Sequence, residues 1–382
     1  MSQLIGFRLI IQRNDAQKNK YYVGIIGGSI THTYPFSVAT ASLIIQSTAG
    51  GNTQEYLAPI SIDDIVRVQV NVKRRASEPD VWQDMFEGRI RNVENSFSAA
   101  GNVMKIGCTG HGNPLTYTYF NSDQTFTNQT TGYIVNSMLS LLPRFTDASP
   151  SLIDQTGSTI LTEYTVAADG KTLSEIIKEL EETELDGYAF RLKAVYDSDG
   201  NLYEVQPVWE AIGELNESSA VVENGRNLTN SSFKVEDRMI NKVVVYGGGD
   251  PQVSAIAQDT ALQATYDVRQ QTFVDTSITT ATSAQELADA ILSRWKNPVI
   301  TGTVTITGNP NVRPGDKVHC EILSISLQGE NIDDDFIVRK VVHNIGDKFT
   351  TTLTLGELDI DPSELLSMLL IRNKRNNLNG IV

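Results

Sequence analysis

The stretch Val312-Arg313-Pro314-Gly315-Asp316-Lys317-Val318-His319-Cys320 decides the fold reading, because it echoes Ile62-Asp63-Asp64-Ile65-Val66-Arg67-Val68 from about 250 residues earlier. Both place an acid directly before a strand. In the later copy, Pro-Gly supplies the tight turn that launches it. A second pair recurs at almost the same spacing: Phe86-Glu87-Gly88-Arg89-Ile90 and Phe336-Ile337-Val338-Arg339-Lys340. Each is followed by a strand studded with threonine or lysine that ends in Gly110 or Gly356. One β module used twice is therefore expected. If the two copies lie side by side, three chains closing head to tail would present six near-equivalent modules.

The first copy lies in residues 1–115, where short strands at 7–11, 22–26, 39–45, 65–70 and 103–106 are separated by turn residues such as Gly27-Gly28 and Gly50-Gly51-Asn52. Short strands without a long amphipathic helix among them indicate a barrel or sandwich. Residues 116–235 change character to a small α+β module. A helix over 131–142 is closed by Pro143, and a second begins at Thr172, with Glu175 completing a capping box. Its apolar positions Leu173, Ile176, Ile177 and Leu180 share one face. A hairpin turning at Asp197-Ser198-Asp199-Gly200 follows. Residues 236–358 return to strands at 242–246, 304–306, 317–320 and 349–355. One helix interrupts them, capped by Ser283 and Glu286 and running through Leu287, Ile291 and Trp295.

The last stretch, 359–382, opens Asp361-Pro362-Ser363-Glu364, an N-cap, a first-turn proline and an N3 acid in order. Leu365, Leu366, Met368, Leu369 and Leu370 then cover most of the helical circumference, more than a surface helix needs. These five residues are the candidate interface, a docking contact with a partner or another module.

The chain has 382 residues, 40% of them hydrophobic and 20% charged, with a formal net charge of −15. That suits a multi-module globular protein and opposes specific binding to a polyanion such as DNA. The longest apolar run, 365–371, is too short to span a bilayer, so no membrane insertion is expected. Cys108 and Cys320 read as buried thiols, and a reducing cytoplasm suits them.

No chemistry emerges from spacing. His32, His111, His319 and His343 are scattered, with no acid-histidine helix motif, and read as satisfied structural histidines. Asp333-Asp334-Asp335 reads as a cap on a loop entering the strand at Phe336 rather than a cation site. Asp197-Ser198-Asp199-Gly200 reads as a hairpin turn, and Gly247-Gly248-Gly249 as a strand exit. Glu181, Glu182 and Glu184, at a helix end, read as a solvated face. No catalytic residue, metal ligand or cofactor is assigned, and the chain is not expected to be an enzyme.

In its order of motifs the sequence resembles the phage tail hub family, also called baseplate hub or late control D-like proteins. The first module carries an acid-x-Val-x-Val pattern over Asp64 to Val68 and Phe-x-Gly-Arg-Ile-x-x-Val over Phe86 to Val93. The middle carries Gly170-Lys171-Thr172-Leu173 and Asp199-Gly200-Asn201-Leu202, and the last Asn309-Pro310 with Arg313-Pro314-Gly315-Asp316. This resemblance implies a mainly β fold with an α+β insertion: two tail-tube-like β-barrel modules, a small α+β middle module and a C-terminal helix. It implies a homotrimeric ring at the end of a tail tube. Partners would be the tail tube or distal tail protein, a central spike or tip protein and the tape measure protein. DNA would pass through the channel without specific binding. The location implied is the tail baseplate of a virion assembled in the host cytoplasm. No peptidase or lysozyme extension is visible beyond the second module. The alternatives are a carbohydrate-binding tail-tip β-barrel, which calls for exposed aromatic clusters where Trp82, Trp209 and Trp295 are dispersed, and a tail-associated peptidoglycan hydrolase.

Overall fold

A computed structural model of the protein describes residues 4–14, 20–46, 60–73, 79–98, 101–142, 145, 152–184, 187–212, 221–236, 239–249, 251–275, 278–327 and 330–356. Six strands open the chain: β1 (Leu4–Gln12), β2 (Lys20–Thr33), β3 (Ser37–Gln46), β4 (Ile65–Lys73), β5 (Trp82–Ser98) and β6 (Gly101–Gly110). Alternation drives them. In β4, Val66, Val68 and Val70 are fully buried and pack with Leu9, Leu43, Ile90 and Ile106 in one core.

The middle stretch supplies β7 (Gln124–Thr130), α1 (Thr131–Leu139), β8 (Ile160–Val166), α2 (Leu173–Thr183), β9 (Tyr188–Tyr196) and β10 (Leu202–Ala211). The expected capping box at the start of α2 is present, with Thr172 and Glu175 satisfying each other's backbone N–H. Leu173, Ile176, Ile177 and Leu180 all point into a core shared with α1 and Trp209. Helix α1 ends at Leu139, three residues before the expected stop. The β9–β10 hairpin turns where expected, its Asp197 carboxylate accepting the Asn201 N–H at 2.7 Å.

The remaining elements are β11 (Val222–Glu223), β12 (Leu228–Glu236), β13 (Lys242–Gly247), β14 (Ser254–Gln258), α3 (Thr260–Tyr266), β15 (Gln270–Asp275) and α4 (Ala281–Trp295). Then come β16 (Val299–Thr307), β17 (Lys317–Leu327), β18 (Glu330–Ile345) and β19 (Thr350–Gly356). Strands β14-β13-β15 form their own small sheet, one face of which packs on α4 through Val243, Val245, Phe273, Leu287 and Ile291. Helix α4 begins two residues before Ser283, so that residue lies inside the helix rather than at its cap.

The chain is mostly β, but the expected two tail-tube-like β-barrel modules are not what forms. Strands from both stretches belong to a single twelve-stranded sheet, in the order β1-β4-β5-β6-β3-β2-β18-β19-β16-β12, with β17 and β11 branching off β18. The reason lies in strand length. β2 and β18 are 14 and 16 residues long, so each serves different neighbours along its length. The start of β2 pairs β1, while residues 28–33 pair β18 on one side and β3 on the other. Alternation specifies which residues face a core, but not which edges meet.

The repeat itself is carried by the topology. The order β4-β5-β6-β3-β2 recurs as β17-β18-β19-β16-β12. Its details coincide as well. Asp64 N–H bonds the Ser61 carbonyl and Ile90 N–H the Asp64 carbonyl; Asp316 and Val338 do the same with Arg313 and Asp316. The bulge between Ile90 and Asn92 matches that between Val338 and Lys340, and the bulge between Ile25 and Gly27 matches that between Leu228 and Asn230. This equates Ile90 with Val338, and so Gly88 with Phe336, two residues off the pairing of Phe86 with Phe336 read from the sequence.

Both launching turns need a left-handed residue, filled by Asp63 (φ 72°) in one copy and Gly315 (φ 85°) in the other. Gly315→Ala is therefore expected to cost about 1–2 kcal/mol of stability in urea unfolding. An unchanged midpoint would contradict that strain.

Candidate functional site: the joint between the sheet halves

The two repeats meet along β2 and β18, and the middle stretch packs against the same place. At its centre the register sets His343 opposite Ile30 and Val341 opposite His32. Both histidine rings are inward, their centroids 6.3 Å apart in an edge-on arrangement. His32 Nε2 lies 3.1 Å from the Met85 carbonyl, which can only accept, so that nitrogen carries the proton. Burial, then the nearby Arg313 charge, pushes the His32 pKa down to about 3. Burial likewise holds His343 well below its usual range, with the His32 and Arg313 charges adding to it. Two histidines 311 positions apart, separately unremarkable in the sequence, thus form one neutral pair at the seam.

Around them runs a network that spans all three regions. Arg313 is half-buried, and its guanidinium donates to the Asp84 carbonyl at 3.1 Å and lies 3.5 Å from that of Met85, in the first half. Arg191, from β9, donates to the Pro314 carbonyl at 2.7 Å and to Asp316 Oδ1 at 2.9 Å, in the second. Asp316 also accepts the Arg313 backbone N–H at 2.7 Å, and its side chain is fully buried. Arg67, on β4, forks onto the Asp84 carboxylate and stacks 4.0 Å above the Tyr196 ring of β9. Glu87, held in by Ala194 N–H, is raised to about 7 by burial and by Asp84 beside it. An open-sided cavity of about 610 Å³ lies in this joint, lined by His32, Phe36, Glu87, His111, Arg191 and Arg313 among others.

The acids at the end of α2 are the second clamp, and here the expectation of a solvated face fails. Glu181 is completely buried and Glu184 nearly so. Glu181 accepts the Phe36 N–H, from the β2–β3 turn, and the Phe190 N–H of β9 at 2.6 Å. Burial raises its pKa to about 8, against the two backbone N–H groups that favour the anion. Glu184 takes the Thr159 N–H at 2.8 Å and the Thr131 hydroxyl. Their positions at i and i+3 on a short helix looked like a surface because the sequence does not show what covers its C-terminal turn. Glu181→Ala would strand two N–H groups and is expected to cost on the order of 2 kcal/mol. A loss below about 0.5 kcal/mol in chemical denaturation, within the range of an ordinary surface substitution, would contradict this.

The other candidates fall elsewhere. Asp333, Asp334 and Asp335 lie within β18 rather than in a loop. Asp335 and Asp333 bracket His319 of β17 at 3.0 and 3.1 Å, and the Asp335 hydrogen bond raises the pKa of that histidine. Among the described residues no group of three or more His, Cys, Asp and Glu could hold a metal. Cys108 and Cys320 are buried and unbridged, and burial pushes each thiol up to about 12. Trp209 and Trp295 sit in separate cores, while Trp82 lies 4.1 Å beneath the Arg8 guanidinium. Leu365, Leu366, Met368, Leu369 and Leu370 lie outside the described residues.

The arrangement ties three regions into one relative position. Residues 83–356 match the model of a protein family described as YQBQ-like. Among solved structures, a tail protein from Neisseria meningitidis is similar over 92% of this chain and 97% of its own, with a TM-score of 0.58 at 13% identity. The 43 kDa tail protein of prophage MuSo2 from Shewanella oneidensis gives 0.53 at 14% identity, over 94% and 99% of the two chains. Prophage tail protein gp18 from Listeria monocytogenes gives 0.53 at 14%, over 96% and 99%. At such identities the likeness concerns the fold. No curated protein matches the sequence.

Proposed function

Because the chain belongs to the YQBQ-like family, and has the fold of solved phage tail proteins, we propose that it is a structural tail protein of the virion baseplate. In this reading it is a hub: three chains close into a ring that presents six similar β units. The ring joins the tail tube to a central spike or tip, and it lines the channel for tape measure protein and DNA. The observation that carries this is the repeat, two copies of one strand order joined edge to edge within a chain. A chain built this way presents twice as many similar units as it has copies, which suits a threefold part meeting a sixfold one. The net charge of −15 fits a wall along which DNA slides without sticking.

The buried network at the joint supports a rigid element rather than a hinge. Residues 365–370 remain the proposed docking contact with a neighbouring subunit or tail component. Light scattering on purified protein is expected to give the mass of three chains, with rings of six lobes in electron micrographs. A strictly monomeric chain at micromolar concentration counts against self-assembly, and measurable peptidoglycan release by the chain alone would count against a purely structural role.

A further inference from the structure

We infer that the joint between β2 and β18 inside each chain is also the template for the contact between chains: β12 of one copy pairs antiparallel with residues 92–97 of β5 in the next. The inference deepens the ring reading above and rests on it. It follows from applying the repeat to its own seam. The shared bulges and ladders map β2 onto β12 and β18 onto β5, strand by strand. Within the chain, residues 28–33 of β2 pair residues 340–345 of β18. Their equivalents are residues 231–236 of β12 and residues 92–97 of β5. Among the described residues β12 has one strand neighbour, β16, and residues 92–97 of β5 pair β6 alone. Each chain therefore carries one copy of the joint already made and the two halves of a second, one on β12 at the end of the sheet and one on the part of β5 that extends past its pairing with β4.

The implied register can be judged by what it brings together. Val341 opposite His32 becomes Val93 opposite Val235, and Val342 opposite Thr31 becomes Glu94 opposite Lys234. A half-buried valine meets a half-buried valine, and an exposed acid meets an exposed base. Directly opposed strand residues of opposite charge stabilise a pair, and like charges oppose it. Open edges with unpaired backbone groups also recruit further strands. The occupant of each edge is thus a second copy of this chain.

The two edges lie seven strand spacings apart in the pairing order, roughly 34 Å along the sheet. A disulfide, which needs Cα atoms within about 7 Å, should therefore link different chains. The test is the full chain carrying Glu94→Cys and Lys234→Cys, oxidised and run without reductant, with the linked peptides identified by mass spectrometry. Both positions are exposed, and circular dichroism checks that the fold is kept. A 94–234 disulfide that accumulates to a covalent trimer is the expected result. A ladder continuing past the trimer upholds the edge pairing and overturns the three-chain ring. A wild-type trimer in light scattering with no 94–234 link overturns the edge pairing and leaves the ring. A monomer with no link at any concentration overturns both. In parallel, Glu94→Lys is expected to weaken association about tenfold, and adding Lys234→Glu to restore it. Failure of that rescue also overturns the register.

Discussion

Asp316→Ala is expected to lower the free energy of unfolding by about 3–5 kcal/mol, the scale of breaking a buried, hydrogen-bonded charge pair. The side chain is fully buried and holds two donors, the Arg313 backbone N–H at 2.7 Å and Arg191 Nη2 at 2.9 Å. Removing it leaves a guanidinium facing the carbonyl of Pro314 without its counter-ion and an N–H without a partner. The repeat supplies an internal control. Asp64 fills the same place in the first copy, accepting Ser61 N–H at 2.8 Å and Asn14 N–H at 3.1 Å. Its arginine, Arg13 of the same stretch, stands at 3.6 Å, beyond hydrogen-bond reach, and none from the middle stretch reaches it as Arg191 reaches Asp316 at 2.9 Å. Asp64→Ala is expected to cost less, about 2 kcal/mol. Equal losses in urea titrations would mean that the turn alone, and not the joint, accounts for Asp316.

The second large effect is acid sensitivity of the seam. His32 and His343 have pKa values well below 6.5 when folded, so the unfolded chain takes up their protons first as pH falls. Their contribution is fully present above about pH 6.5 and is lost below it, by about 1.4 kcal/mol per histidine per pH unit. Glu87 and Glu181 act in the opposite sense. With folded pKa values of about 7 and about 8, they add stability as pH falls through those values, until unfolded carboxylates protonate near 4.5. Between about pH 6.5 and 4.5 the two pairs nearly cancel. Below that the histidines act unopposed by these two acids, and stability falls steeply until they charge.

The histidine part can be isolated by difference. The stability gap between wild type and His343→Phe is expected to move in the variant's favour by about 2–3 kcal/mol from pH 6.5 to pH 4.5. The groups packed around these rings include Arg313, Arg191, Met85, Thr351, Phe86 and Phe349, none of which changes charge in that interval. A gap independent of pH would show that the His343 ring is not held neutral by the seam.

Much of this was legible beforehand for a local reason. The capping box of α2 involves residues three apart, the hairpin at Asp197 four, and the valines of β4 alternate with period two. Each is set by backbone geometry within one element, so Thr172, Glu175, Asp197, Val66 and Val68 stand where their spacing implied. The repeat was legible too, since both copies must launch a strand from the same turn. Its register was off by two residues at Phe336 because apolar strand positions resemble one another when no partner strand is in view.

Everything that makes the joint was decided only in three dimensions. His32 meets His343, Arg191 meets Asp316, and Glu181 closes on Phe36, across separations in which no spacing rule operates. The acids of α2 read as surface because burial belongs to the neighbours, and the two barrels read as separate because strand edges carry no sequence label. The repeated acid and turn at Asp64 and Asp316 were therefore the sequence's own contribution, a module written twice. How the copies join was settled by long strands, whose backbone groups must find hydrogen-bond partners along their whole length.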